Sequence, residues 1–451
     1  MKPRSLTPRA GFSLCPQCSR PFPSKGYAYF HPSRRRDQST WAAAAASAAQ
    51  TLFSNDPPPQ ASPISIDPIR TVAKEMKFLT GSIRQLLGSG HPTLDTVSKY
   101  YTQSEGKFIR PMLVLLMSQA TATIPKSAQN RNAYMSSQGI NTPLTPNSIL
   151  SDHNPSAPDY DHTKYNPLTG PHQPLLDTNN HYADILPSQH RLAEITELIH
   201  TASLLHDDVL DTSLTRRSQP SANIAFGNKM AILAGDFLLG RASVALARLR
   251  DPEVTELLAT VIANLVEGEF MQLKNTAADE TNPVYRSEVL EYYLQKTYLK
   301  SASLISKSCR AAAILGGSEA VVVEAAYAYG RNLGLAFQLV DDMLDYTSEG
   351  GELGKPAGAD LELGLATAPL LFAWSAEPQG ELGRLVGRKF KGEGDVLRAR
   401  ELVAASDGLE RTRALAQDYV DNAIRALNGF PASEAKDGLV EMCTKVMKRR
   451  K

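Results

Sequence analysis

The chain has 451 residues, 42% of them hydrophobic and 21% charged, and a formal net charge of +1 at pH 7. This composition suits a globular protein with a large core. The near-neutral charge argues against nucleic acid as a partner, so any bound anion must be held by a local cluster of charge. Four cysteines are too few for a disulfide framework, and the lack of a long apolar run predicts that no segment spans a membrane.

Residues 1–63 have the composition of a targeting segment followed by a linker. Within the first fifty residues, eight lysines and arginines stand against a single acid, Asp37, among many Ser and Ala. A basic, acid-poor stretch of this kind is typical of an organellar transit peptide. Cys15 and Cys18 would make half of a zinc site, but no second pair lies at a suitable spacing.

Helical periodicity begins near Asp67-Pro68, an N-cap residue followed by a proline suited to the first helical position. Helices are expected from there to about residue 87 and over about 94–120. Residues 121–189 are rich in Pro, Asn, Ser and Asp, which predicts a disordered insertion. Apolar periodicity then returns, with helices predicted at about 191–213, 226–249, 252–275, 286–315, 318–348, 364–376, 396–404, 407–427 and 432–448. No stretch alternates long enough for a strand, so we expect an all-α bundle built as one domain from residues 64–120 and 190–451.

Two acidic clusters stand out within these helices. Asp207, Asp208 and Asp211 fall on one helical face, because a helix advances about 100° per residue. The sequence repeats the pattern at Asp341-Asp342-Met343-Leu344-Asp345. A single such cluster is often a solvated face, but both lie in apolar segments, where grouped carboxylates need positive partners. Carboxylates with open positions suit Mg²⁺, which also keeps water and substrate phosphate as ligands.

Several cationic side chains complement the acids. Singly, each is more typical of a surface charge, but near metal clusters ammonium and guanidinium groups can bind phosphate oxygens. The cations in question are Lys107, Arg110, Arg216, Arg217, Lys296 and Lys355. His200 is equally compatible with a core position and with a phosphate contact, whereas His206 favours a structural role.

Taken together, these motifs resemble those of the all-trans polyprenyl diphosphate synthases of the mitochondrial, ubiquinone-side-chain type. Five motifs carry the resemblance, from residue 65 to the C-terminus outside the insertion. They are Gly106-Lys107-x-x-Arg110-Pro111, His200 to Asp211 with Arg216-Arg217, Lys296-Thr297, Phe337-Gln338-x-x-Asp341-Asp342-x-x-Asp345 and Gly354-Lys355-Pro356-x-Gly358-x-Asp360. The resemblance implies an isoprenoid-synthase-type helical bundle around a central cavity, usually dimeric, with a diphosphate-binding mouth and an apolar tunnel.

The resemblance also implies residue roles. Mg²⁺ ions bridging the allylic diphosphate would be bound by Asp207, Asp211 and Asp341, and catalysis would also use the remaining acids Asp208, Asp342 and Asp345. Isopentenyl diphosphate would be bound by Lys107, Arg110, His200 and Arg217. The allylic diphosphate would be contacted by Arg216, Lys296, Thr297, Gln338 and Lys355. One departure is Leu365, where the family often has a second lysine.

Product length is expected to depend on the residues four and five positions before Asp207. In the family, large aromatics here stop growth early, whereas Ser203 and Ala202 are small. A product of about six to ten isoprene units is therefore expected, because these side chains lie one turn below the metals. Replacing Ala202 with Phe should shorten the product.

The resemblance thus implies a Mg²⁺-dependent mitochondrial prenyltransferase of the matrix, in contact with the inner membrane for product release. A homodimer and a heteromer both remain open. The alternative is a non-catalytic subunit of a heteromeric synthase, although such a subunit has less reason to keep both acidic clusters. A terpene cyclase would not be expected to carry the pair Lys107 and Arg110 or the second acidic cluster.

Overall fold

The computed structural model describes residues 67–103, 108–124, 144–145, 185–216, 219–273, 283–347 and 358–449. All of them belong to the unit Ser65–Lys451. The predicted transit peptide and linker, and nearly all of the predicted insertion, lie outside the described residues and stay predictions.

The described chain is almost entirely helical, as the sequence predicts. The helices of the first half are α1 (Pro68–Thr71), α2 (Ala73–Leu86), α3 (Pro92–Gln103), α4 (Ile109–Ala122), α5 (Pro187–Leu210), α6 (Ala222–Phe226), α7 (Asn228–Arg248) and α8 (Pro252–Leu273). Those of the second half are α9 (Ser287–Thr297), α10 (Ser303–Leu315), α11 (Ala320–Thr347), α12 (Ala359–Glu362), α13 (Ala368–Ala376), α14 (Glu381–Gly387), α15 (Asp395–Ala404), α16 (Gly408–Ala426) and α17 (Glu434–Met447). A π-turn, Tyr298–Ala302, joins α9 to α10. Strands β1 (Thr215–Arg216) and β2 (Gln219–Pro220) pair antiparallel.

Helices α4 and α5 form the centre of the bundle. Every residue from Pro111 to Ser118 in α4 is buried, and so is every residue from Arg191 to Ile199 in α5. A helix that is buried on all sides belongs to the interior of a protein. Because α5 carries the first acidic cluster at its C-terminal end, that cluster is built on a rigid core element.

Close packing brings the π-turn against its neighbours. A Cβ atom added to Gly334 of α11 would lie 2.7 Å from Cα of Ala302, and one added to Gly268 of α8 would lie 3.0 Å from the backbone nitrogen of Lys300. Glycine therefore lets the backbones of α8 and α11 approach the π-turn from two sides. Single π-turns inserted in helices are frequent at functional sites.

The observed helices depart from the prediction in a few places. The helix expected over 94–120 is interrupted between Gln103 and Ile109, because Pro111 lacks an N–H and is tolerated only in a first turn. Phe108, just before the new helix, has a left-handed backbone with φ of 40°. The flanking helices also reach into the predicted insertion, since α4 ends at Ala122 and α5 begins at Pro187. The short helices α6, α12 and α14 and the two-residue strands were missed, because elements of this length show no usable periodicity.

Among the described helices, α7 is the one whose length and apolar composition would allow it to cross a membrane. It packs along α5 in the bundle, and 44% of its most apolar window is buried. The core helix of a bundle has the same composition.

Candidate active site

The first acidic cluster lies at the C-terminal end of α5. The helix ends at Leu210, and the N–H of Asp211 donates to the carbonyl of Asp207 at 2.8 Å. Asp208 is fully buried, whereas Asp207 and Asp211 are partly exposed. The cluster therefore has two outer carboxylates stacked one turn apart and one internal carboxylate, as their spacing predicts.

Asp208 is bound entirely within the protein. Nε of Arg216 donates to Oδ1 at 2.9 Å and to Oδ2 at 2.8 Å, and Nη2 donates to Oδ1 at 2.6 Å. The hydroxyl of Tyr101 donates to Oδ2. Such a guanidinium fork on a carboxylate is among the stronger polar contacts in proteins. Asp208 thus fixes Arg216, which was predicted to contact the allylic diphosphate, with Nη1 left outside the pair.

An ion pair beside Asp207 was missed by the sequence analysis. Nζ of Lys300 lies 2.5 Å from Oε2 of Glu269 and donates to Oε1 of Gln272 at 3.1 Å. Burial raises the pKa of Asp207 to about 6, with the charge of Lys300 opposing and the carboxylate of Glu269 adding to the rise. A cation bound at Asp207 would favour the ionised carboxylate, because nearby opposite charge lowers an acid's pKa.

In the second cluster, on α11, Asp341 and Asp342 have different partners. Asp341 pairs with Nη1 of Arg449 at 2.9 Å, and both side chains are partly exposed. Asp342 is buried and accepts hydrogen bonds from Nε2 of Gln338 at 2.8 Å and from the hydroxyl of Tyr293. Burial raises the pKa of Asp342 to about 6. Asp341 is therefore the more accessible metal ligand of the two.

The third acid of this cluster has a structural contact. The carboxylate of Asp345 accepts the backbone N–H groups of Ala359 at 3.1 Å and of Asp360 at 3.2 Å, and so caps the start of α12. Asp360 itself is a fourth acid, and burial together with the charges of Asp342 and its neighbours raises its pKa to about 8. The second cluster therefore contains four carboxylates.

Lys296 and Thr297 lie near the second cluster, and their predicted contacts with the allylic diphosphate stay predictions. Burial lowers the pKa of Lys296, while the charges of Asp342 and Asp360 oppose that shift. Thr297 is buried, with 3% of its surface exposed. Leu365, which stands where the family often has a lysine, lines the same small cavity as Lys296.

The π-turn links the two acidic clusters. Its residue Lys300 reaches the first cluster through Glu269, and the next residue, Ser301, donates from Oγ to Oε1 of Gln338 at 2.8 Å. Gln338 in turn donates to Asp342. Two consecutive residues of one turn are therefore each one side chain away from a different cluster, which places the clusters at the same end of the bundle.

The predicted isopentenyl diphosphate site is only partly within the described residues. Nη1 of Arg110 lies 2.9 Å from Nε2 of His200, so α4 and α5 bring these two together as predicted. Lys107, Arg217 and Lys355 lie outside the described residues, and their roles stay predictions.

An apolar cavity of about 240 Å³ begins at Asp207 and Glu269. Its walls come from α5, α7 and α8 and include Ser203, Leu239 and Phe270. Ala202, in contrast, is fully buried and is not part of the wall. Of the two positions predicted to control product length, the structure therefore places Ser203 at the cavity, and the predicted effect of a Phe at Ala202 stays a prediction.

The donor set fits a hard divalent cation that completes its coordination with water and phosphate. Within the described ranges, no three His, Cys, Asp or Glu side chains gather into a ready-made ligand group. A closed protein cage is not what such a cation needs, because Mg²⁺ typically takes one or two carboxylates and keeps several waters. The outer carboxylates Asp207, Asp211 and Asp341 provide ligands of this kind.

For most of the site residues that the sequence analysis missed, the spacing of residues in the sequence gave a weak indication of their role. Lys300 is one turn beyond Lys296 on the same face, and Glu269 and Gln272 are three residues apart in α8, where side chains at this spacing are neighbours. Asp360 lies inside a motif that had been noted without a role. Tyr101 had no signal, because its partner Asp208 is 107 residues away.

Two acidic clusters at one end of an all-α bundle, with Asp207 of the first at an apolar cavity, define an isoprenoid-synthase-type prenyltransferase. Comparisons with known proteins agree. The family model for polyprenyl synthetase matches residues 174–403. A probable mitochondrial hexaprenyl pyrophosphate synthase of Neurospora crassa is 69% identical over 388 residues, covering 86% of this chain and 82% of that protein. Decaprenyl-diphosphate synthase subunit 1 of Schizosaccharomyces pombe is 47% identical over 380 residues, covering 84% and 90%. A crystal structure of polyprenyl synthase from Caulobacter crescentus, complexed with calcium and isoprenyl diphosphate, matches with a TM-score of 0.65 and 28% identity, covering 87% of this chain and 100% of that one.

The chain belongs to the polyprenyl synthetase family. It is a mitochondrial polyprenyl diphosphate synthase, and this membership confirms the predicted family, fold class, enzyme class and localisation. The catalytic interpretation is favoured over that of a non-catalytic partner subunit. Dependence on a divalent metal follows with the family.

Proposed function

We propose that this chain adds isopentenyl diphosphate repeatedly to an allylic diphosphate, with farnesyl diphosphate as the expected primer. The observation that carries the proposal is the cavity that begins at Asp207 and Glu269 and continues among apolar side chains. A molecule with a diphosphate head and a hydrocarbon tail matches this arrangement. The head would lie at the acids and their metals, and the tail would fill the cavity.

The metal is proposed to be Mg²⁺, held by Asp207, Asp211 and Asp341. When bound, it would neutralise negative charge on the departing diphosphate. Lys300 and Arg216, both at the first cluster, would add positive charge on the allylic side. Charges placed in advance where negative charge develops are the main source of catalysis in reactions of this kind.

The chemistry follows from this distribution of charge. The allylic carbon–oxygen bond breaks, and its electron pair leaves with diphosphate. The double bond of isopentenyl diphosphate, held by Arg110 and His200 together with Lys107 and Arg217, attacks the allylic cation and forms the new carbon–carbon bond. A proton then passes from the new chain to an oxygen of the released diphosphate. The apolar wall keeps out water that would quench the cation.

The product is proposed to be a chain of about six isoprene units that serves as the precursor of the ubiquinone side chain. The 69% identical relative is named as a hexaprenyl synthase, whereas two relatives named for decaprenyl diphosphate are 47% and 42% identical. Small Ser203 at the cavity wall is in keeping with a long product, because a bulky residue there would fill the space that the tail needs.

The enzyme is further proposed to work as a homodimer, with a heteromer as the alternative. Exposed apolar side chains lie on two neighbouring helices, and large exposed apolar surfaces commonly mark interfaces. They are Ile232, Leu233 and Val244 on α7 and Val266, Phe270 and Leu273 on α8. Release of the water-insoluble product is proposed to occur at the surface of the inner membrane. Analytical ultracentrifugation tests this proposal: the parent protein should sediment as a dimer, and Leu233→Asp should sediment as a monomer.

The direct test of function uses the purified chain alone with farnesyl diphosphate, labelled isopentenyl diphosphate and Mg²⁺. We expect elongated products whose main component has six isoprene units. Elongation that appears only after a second subunit is added would support the partner-subunit alternative. Products that do not grow beyond one addition would refute the proposed chain length.

A further inference from the structure

Tyr101 lies where four separate elements meet, although no motif includes it. It belongs to the last turn of α3, and 6% of its surface is exposed. Its hydroxyl donates to Asp208 of α5 and accepts the backbone N–H of Ala222, at the start of α6, at 2.7 Å. Through Asp208 it also contacts Arg216 of β1. One hydroxyl therefore joins α3, the acidic end of α5, the hairpin and α6.

Two further hydrogen bonds join described residues near the ends of the segment between Asp208 and Ala222. Oγ of Ser221 donates to the carbonyl of Ser213 at 2.5 Å, and Nδ2 of Asn223 donates to the same carbonyl at 3.2 Å. These bonds close the segment on itself. On its buried side, the segment is connected to α3 through the hydroxyl of Tyr101.

The hydroxyl matters because Asp208 has no contact with solvent. A buried carboxylate needs every hydrogen bond that it receives, and a donor removed from it is not replaced by water. Without the hydroxyl of Tyr101, the partner left to Oδ2 of Asp208 among the described residues is Nε of Arg216, and the N–H of Ala222 loses its acceptor. We therefore expect the carboxylate to turn and the guanidinium fork of Arg216 to move with it.

We propose that Tyr101 is a positioning residue that holds Arg216 in the orientation needed to bind the allylic diphosphate. This inference rests on the proposed function, in which Arg216 contacts that diphosphate. Tyr101 acts through Asp208 and does not touch the substrate.

The test compares two hydroxyl deletions on the same helix. Tyr101→Phe keeps the buried ring and removes the contact with Asp208. Tyr100→Phe is the matched control, because its hydroxyl donates to the carbonyl of Pro220 at 3.0 Å on the exposed side of the same hairpin. For Tyr101→Phe we expect KM for farnesyl diphosphate to rise about fivefold to tenfold, with kcat within about twofold, as for loss of a binding contact. The control should match the parent enzyme.

A binding measurement without turnover gives an independent readout. In isothermal titration with inorganic pyrophosphate and Mg²⁺, the dissociation constant of Tyr101→Phe should be larger than that of the parent enzyme by the same factor as KM. In an Arg216→Lys background, which lacks the fork, Tyr101→Phe should have little further effect on KM, because residues that act through one another are not additive. If Tyr101→Phe does not fold, Asp208→Asn addresses the same contact from the other side and should raise the same KM.

The inference is overturned if a folded Tyr101→Phe, or Asp208→Asn in its place, binds both ligands like the parent enzyme. It is equally overturned if Tyr100→Phe raises KM as much, or if the effects of Tyr101→Phe and Arg216→Lys simply add. Failure of the parent enzyme to elongate farnesyl diphosphate would instead refute the proposed function.

Discussion

Among the residues that line the cavity, Ser203 is the position where we expect a substitution to change the length of the product most. A cavity of about 150 Å³ in another protein holds one benzene molecule of six carbons, so the cavity of about 240 Å³ below Asp207 accommodates roughly ten carbons, or two isoprene units, by the same scaling. With one further unit at the reaction centre, a three-unit farnesyl chain fills this space. Longer chains must extend beyond this space.

A phenyl ring at position 203 would occupy roughly the volume of one benzene, about 150 Å³, and leave room for about one unit. We therefore expect Ser203→Phe to stop growth at about three or four units and to prefer geranyl over farnesyl diphosphate as primer. Thin-layer chromatography of the dephosphorylated products measures the length.

Ser203→Ala is the control for this prediction. It removes the hydrogen bond from Oγ to the carbonyl of His200, 2.8 Å long, without filling the cavity, so its products should match those of the parent enzyme. A folded Ser203→Phe that still makes the parent product would refute the assignment of this cavity to the growing chain.

Three further predictions concern charge. The pKa values of Asp207 and Asp342 are both raised to about 6, against 3.8 for an ordinary Asp. The metal-free fold therefore loses stability as pH rises from about 4 to 6. Mg²⁺ should accordingly raise the melting temperature more at pH 7 than at pH 5. Arg449→Gln removes a partly exposed ion-pair partner of Asp341. Because such a pair is worth up to about 1 kcal/mol, Mn²⁺ should bind the substrate-free enzyme up to about fivefold tighter in electron paramagnetic resonance titrations. Lys300→Met removes the ammonium beside Asp207 and should lower kcat/KM for farnesyl diphosphate by on the order of 10²-fold.

Each of these predictions has a result that contradicts it. Equal metal-induced shifts of the melting temperature at both pH values would mean that the raised carboxyl pKa values are not linked to metal binding. Arg398→Gln, which removes the exposed pair with Glu381, should leave Mn²⁺ affinity unchanged; an equal gain there would show a non-specific charge effect. A folded Lys300→Met enzyme with the kcat/KM of the parent enzyme for farnesyl diphosphate would refute the role given to Lys300.

The helices and the acidic clusters were accessible from sequence because both depend on local spacing. A period of 3.6 residues predicts which residues share a helical face, so the pairing of Asp207 with Asp211 followed directly. The interruption before Ile109 could also have been anticipated from Pro111. The two-residue strands had no signal of this kind.

Contacts between distant segments were not accessible in the same way. Lys296 and Lys300 lie on one helical face, but which of them reaches Asp207 depends on how the π-turn packs between α8 and α11. Likewise, Ala202 and Ser203 are neighbours of similar size, and only the positions of α7 and α8 show which one lines the cavity. Such choices are made by tertiary packing, on which single-sequence periodicity carries no information.

Asp207→Asn tests the central claim, that the outer carboxylates at the cavity mouth hold the metal that activates the allylic diphosphate. The substitution keeps the side-chain volume and removes the charge. We expect elongation of farnesyl diphosphate to fall by on the order of 10²-fold to 10³-fold or more, with an unchanged circular dichroism spectrum and a weaker response of the melting temperature to Mg²⁺. A folded Asp207→Asn enzyme that elongates farnesyl diphosphate at the parent rate would contradict the claim.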